Sequence, residues 1–138
     1  MDIVNSKKAV IDKFDDSVVL IEFMETDYIN VEDLGQIENS VGQLIGNHSY
    51  AAVNILPQGF KNFTYDAKNY VTDENSRLKY RTLDCYISGS LAKRLELEVF
   101  FQLHKPTRKT KIFNSLNKAL TYIECQRKLE VDKKGVLV

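Results

Sequence analysis

The sequence holds 138 residues, 43% of them apolar, with 19 basic and 19 acidic side chains and a formal net charge of 0. That is the size of one ordinary domain with material for a core. A chain without a net field has no electrostatic pull toward phosphate backbones, so nucleic acid is not an expected partner. No apolar run exceeds four residues, as at Val18–Ile21, where a membrane-crossing helix needs about 20. The opening MDIVNSKKAV lacks the apolar stretch of a secretion signal, and Cys85 and Cys125 form no CxxC pair. Together these point to the reducing cytoplasm.

Ala9–Phe14 and Val18–Met24 are strand-like runs separated by Asp15-Asp16-Ser17, the pattern of a hairpin. The second run alternates less and is expected to be the more buried. Asn30 then offers an N-cap, Glu32 and Asp33 suit the positive end of a helix, and Gly46-Asn47 supply a stop. Between them Leu34, Ile37, Val41, Leu44 and Ile45 recur on one helical face. Gly35 and Gly42 sit beside that stripe. Each costs about 1 kcal/mol relative to alanine, which predicts close packing contacts at both.

Ser49–Leu56 reads as a strand ended by Pro57 and Gly59. Thr64 caps a second helix predicted to run to about Asn75, with Ala67, Tyr70 and Val71 inward. Leu83–Ser88 is the next strand. Ser88-Gly89-Ser90 introduces a third helix, Leu91 to His104, which Lys105-Pro106 ends because a residue before proline avoids the helical region. Lys111–Phe113 is a last strand, followed by a cap at Asn114 or Ser115 and a helix to about Glu124.

The order β-β-α-β-α-β-α-β-α predicts an α/β fold: an N-terminal hairpin followed by four βα units, joined by right-handed crossovers into a mostly parallel sheet. The expected division is one domain over 1–126 and a terminal tail or small hairpin over 127–138, with Asp132-Lys133-Lys134-Gly135 as its turn.

This order resembles an uncharacterised bacterial STAS-like family, which shares the SpoIIAA-like fold of anti-sigma-factor antagonists. The resemblance is carried by Val31-Glu32-Asp33, the Gly59-x-Lys61 turn, Asp66-Ala67-Lys68, Arg94, Phe100, Leu103-x-Lys105-Pro106 and Phe113-Asn-Ser-Leu-Asn-Lys-Ala119-Leu, and it spans roughly Ala9 to Cys125. It implies helices mainly on one face of the sheet. It also implies, for the antagonists, a partner kinase and a phosphorylated serine capping the helix after the third strand. Thr64 stands at that cap as the candidate regulatory residue, without the Asp-Ser-x-Gly setting of the switch. A plain N-cap accounts for it.

The residues offer little chemistry. No Gly-rich phosphate loop, nucleophile elbow or H-E-x-x-H appears. Two cysteines and two histidines, at 48, 85, 104 and 125, hold no local chelating pair. Cys85 lies inside a strand with no neighbouring cation to lower its pKa, and His104 suits the negative end of a helix. The aromatics of "GFKNFTYDAKNY" alternate with lysines, but Asp66, Asp73 and Glu74 cancel their field, so packing is the reading. No cofactor, metal or catalytic residue is expected.

The third helix is the informative oddity. Leu91, Leu95, Val99 and Leu103 form one stripe, while Leu97 and Phe101 form another on the far side. Apolar residues on both faces of a helix point either to a larger intramolecular core or to a second contact, a homodimer interface or a groove for a lipid-like ligand. Strand alternation puts Asp84 and Tyr86 opposite Leu83, Cys85 and Ile87. With helices on one face, Asp84 and Tyr86 are expected toward solvent or a partner. Leu97, Phe101 and Tyr86 are therefore the candidate interface, and a homodimeric, non-catalytic interaction module is the expected function. Binding of an apolar small molecule, on a likeness to lipid-transfer CRAL-TRIO domains, is the alternative.

Overall fold

The computed structural model describes residues 3–24, 28–72 and 80–136, and the side chains of all of these except Tyr65, Thr72 and 131–136. Asp16 and Ser17 turn the expected hairpin between β2 (Ala9–Asp15) and β3 (Val18–Phe23). A bulge between Lys13 and Asp15 leaves Phe14 unpaired and exposed, as an extra residue in a ladder requires. β3 is the more buried strand, as its weaker alternation predicts. The short edge strand β1 (Ile3–Asn5), antiparallel to β2, was not legible in the sequence. Neither was the two-residue parallel pairing of β4 (Tyr28–Ile29) with β6 (Asn62–Phe63).

Helix α1 (Val31–Ile45) begins at a reciprocal cap. The Asn30 side chain accepts from the Asp33 backbone N–H at 2.8 Å, and the Asp33 carboxylate accepts from the Asn30 N–H at 3.0 Å. It ends at Gly46, whose φ of 66° is the left-handed conformation glycine adopts cheaply. The packing contacts predicted at Gly35 and Gly42 are absent: a Cβ at either would meet nothing within 4 Å.

The chain continues through β5 (Tyr50–Ile55), α2 (Tyr65–Thr72), β7 (Arg81–Ile87), α3 (Leu91–Leu103), β8 (Lys109–Phe113) and α4 (Leu116–Val136). The predicted end of the second helix, 73–75, lies outside the described residues. The main sheet runs β1-β2-β3-β5-β7-β8, with β3, β5, β7 and β8 mutually parallel. Because those four strands stand side by side in chain order, right-handed crossovers put α1, α2 and α3 on one face. That face holds the larger core: Ile11, Ile21, Ile37, Val41, Ala67 and Tyr86 among others. Helix α4 takes the other side. It folds back on the opposite face, where Ala119 and Ile123 cover Val53, Leu83 and Cys85. Among the described residues, three helices thus lie on one side and one on the other.

The tail or hairpin expected over 127–138 is corrected by α4, which runs on to Val136. Arg127 explains the extension. Its guanidinium makes two bonds to Asp15, at 2.9 and 3.0 Å, and a third to Ser17, fixing the helix to the β2–β3 hairpin well past Glu124.

Candidate interaction surface

Strand alternation assigns Asp84 and Tyr86 to the face away from Leu83, Cys85 and Ile87, as expected, but that face carries three helices. Asp84 is 2% exposed and Tyr86 1%. Of the proposed interface, Leu97 and Tyr86 are therefore interior and Phe101 is half-buried against them. Leu97 is 5% exposed, and the Phe101 ring lies 5.1 Å from that of Tyr86. Phe100 stacks edge-on against Phe101 at 5.2 Å. The physical reason is that β7 presents a tyrosine to α3. A flat aromatic partner fills that position, and the narrower Leu97–Phe101 stripe supplies it.

The broader stripe is left outside. Leu91 is 62% exposed, Leu95 53%, Val99 55% and Leu103 75%. These four sit along the outer side of α3, which starts at a Ser90 cap accepting from the Lys93 N–H at 3.2 Å. The borders of the stripe are charged. On one, the Arg94 guanidinium donates to the Ser88 carbonyl at 2.7 Å and Glu98 is exposed. On the other, Glu96 receives Lys93 at 3.0 Å and the Asn62 amide at 2.8 Å.

Beneath the helices lies a buried charge cluster that sequence reasoning missed. Asp84 accepts from Arg81 at 3.0 Å, from Arg108 at 2.5 Å and from the Asn54 amide at 3.0 Å. Arg108 also donates to the Val71 carbonyl at the end of α2, and Arg81 reaches the Tyr50 hydroxyl at 3.3 Å. One carboxylate thus ties β5, β7, the entry to β8 and α2 together. The available signal was an aspartate inside an apolar strand, with arginines three residues before it and at the entry to the adjacent strand. Burial alone would pull the Arg81 pKa down, but Asp84 and Tyr50 beside it outweigh this and hold it above its ordinary value. Burial raises the Tyr86 hydroxyl, and the Asp84 charge adds to that.

Cys85 and His104 are not brought together. Cys85 points to the α4 side of the sheet, whereas His104 stacks on Phe100 at the end of α3. Burial, with a smaller contribution from Asp84, pushes the Cys85 thiol up to about 12, so it is protonated and unreactive at neutral pH. His48 is exposed after α1. Among the described residues no three His, Cys, Asp or Glu side chains converge as metal ligands, and no helix is long and apolar enough to cross a membrane. Thr64 caps α2, accepting from the Ala67 N–H at 3.3 Å. The Phe60 and Phe63 aromatics are interior, stacked with each other at 5.3 Å.

With this geometry in hand, the sequence matches the family described as Domain of unknown function (DUF7793) over residues 13–126. The chain belongs to that family. Among solved structures it is similar to an uncharacterised protein of the DUF3478 family with a SpoIIAA-like fold from Shewanella loihica PV-4. The two share 13% sequence identity and a TM-score of 0.55, over 83% of this chain and 90% of that one. At that identity the likeness shows the fold alone, and the fold agrees with the STAS-like resemblance. No curated protein matches. In this DUF7793 chain Arg127, which holds α4 to the hairpin, stands one residue beyond the family match.

Proposed function

We propose that this protein is a non-catalytic contact module of the cytoplasm that works as a homo-oligomer, with the outer face of α3 as its contact surface. One observation carries the reading: Leu91, Leu95, Val99 and Leu103, four aliphatic side chains in line, stand half to three-quarters exposed. They amount to roughly 400 Å² of contiguous apolar surface, the size at which a patch on a monomer is commonly an interaction site. The separation of Cys85 from His104 by the sheet, and the raised thiol pKa, support the non-catalytic part.

Sedimentation equilibrium on the purified chain is expected to give a dimer, and Val99→Asp to give a monomer with an unchanged far-UV circular dichroism spectrum. A wild-type chain that stays monomeric at hundreds of micromolar refutes the reading. For the apolar-ligand alternative, the groove of about 300 Å³ between α4 and the strand starts has a mixed lining, with Ala51, Leu83 and Ile123 beside Ser17, Thr82, Lys109, Arg127 and Glu130, and is not a purely apolar pocket.

A further inference from the structure

We infer that the occupant of the α3 face is the same face of a second copy, packed antiparallel on a two-fold axis and specified by Arg94 and Glu98 on one border of the stripe. The inference rests on the proposed contact surface and adds its geometry. Successive residues of the stripe are four apart, so Leu91 and Leu103 lie equally far from its midpoint at the level of Leu97, as do Leu95 and Val99. Reversing a second helix sets Leu91 against Leu103 and Leu95 against Val99, aliphatic on aliphatic throughout.

The charges decide between orientations. Arg94 and Glu98 are one turn apart on the same border. In an antiparallel pair each border meets its own copy, as in antiparallel coiled coils, with the order reversed. Arg94 of one copy then lies beside Glu98 of the other, twice over. A parallel pair would instead set Arg94 and Glu98 against the other border, where Glu96 is already engaged by Lys93 and Asn62, so Glu98 would meet no free cation. In the antiparallel arrangement Glu96 does approach its own copy, but Lys93 and Asn62 already neutralise it. Arg94 uses one nitrogen on the Ser88 carbonyl and keeps further N–H donors on its planar fork. Glu98 is exposed, with no partner among the described residues.

The area fits a modest dimer. About 400 Å² of stripe is half of the roughly 800 Å² per partner of a standard interface, and Ala92, Arg94, Glu98 and Gln102 add to it at the rim. Association is accordingly expected in the micromolar range, weakened by salt through the exposed ion pairs.

Sedimentation velocity on full-length variants tests this. Glu98→Arg gives a copy with two positive charges on the border, and Arg94→Glu a copy with two negative ones. Each alone is expected to self-associate at least about tenfold more weakly than wild type. An equimolar mixture of the two is expected to recover a dimer, because every border pair is again opposite in sign. If Val99→Asp is monomeric but the mixture stays apart, the α3 surface stands and the antiparallel arrangement is overturned. If Val99→Asp still dimerises, or the wild type never does, the contact surface itself falls and the arrangement with it. Should Arg94→Glu fail to fold for want of its bond to Ser88, Glu98→Gln replaces the mixture. Its dimer is expected to lose salt dependence, and salt dependence equal to that of wild type refutes the pairing.

Discussion

Replacing Asp84 by asparagine changes almost no volume and removes one charge. The carboxylate is 2% exposed and receives Arg81, Arg108 and the Asn54 amide at 3.0, 2.5 and 3.0 Å. Asparagine keeps one acceptor oxygen but turns an NH₂ toward donors, leaving two guanidinium groups facing it without a counter-charge. Removing one partner of a buried ion pair costs about 3–5 kcal/mol. Against the roughly 5–15 kcal/mol of whole-domain stability, that is a fifth or more of the total. At about 4 °C per kcal/mol for a chain of this length, Tm should fall by roughly 12–20 °C. Urea unfolding followed by circular dichroism is the assay, with an unchanged m-value showing that the loss is one of stability. A companion variant joins Asp84→Leu to Arg81→Met and Arg108→Met, which removes the cluster whole and is expected to recover most of the loss. If Asp84→Asn stays within about 1 kcal/mol of wild type, far below the cost of an orphaned buried charge, the carboxylate is hydrated and the account of how it ties β5, β7 and β8 is wrong.

Gly42→Ala in α1 is expected to stabilise the protein by up to about 1 kcal/mol in the same assay, since its Cβ enters open space. Gly46→Ala, at φ 66°, is expected to cost about 1 kcal/mol. Titration with a disulfide thiol reagent at pH 7.5 is expected to find one reactive thiol in the native chain, the exposed Cys125, and two after unfolding; fast labelling of Cys85 would contradict its burial. The bond to Arg127 holds the Asp15 carboxyl below its ordinary range. Its contribution is thus fully present above the unfolded-state pKa of about 3.9 and fades as pH falls through the lower folded value. Asp15→Asn should destabilise the protein at pH 7 and converge on wild type only once the pH has fallen through the lowered folded-state value; a gap that persists in stronger acid would show a role other than charge.

The parts of this fold legible in the sequence are those set by local chemistry. Asp16-Ser17 made a turn, Asn30 and Asp33 closed a cap, and Ser90 and Pro106 bracketed α3. What failed was set by distant partners. Both stripes of α3 are apolar, so periodicity could not say which turned inward; Tyr86, on another element, decided it. The exposed set was consequently assigned to the core and the core set to an interface. Residues 127–136 contain good helix formers among Lys, Glu and Leu, but the Asp-Lys-Lys-Gly signal read as a turn. The anchor that extends the helix is Asp15, 112 positions earlier. The two arginines on Asp84 were likewise visible only as separate charges. One lies three residues away along its own strand, the other 24 residues on.

That same clasp between Arg127 and Asp15 has a bearing on how the molecule is made. The β2–β3 turn lacks its final restraint until a residue 112 positions later, on α4, arrives, so these two distant pieces of the described fold finish together. Contacts this remote along the chain slow folding. Until the clasp closes, the early hairpin has its partner strands but not the guanidinium that locks its bend, and cutting the helix before Arg127 should leave it in that state for good.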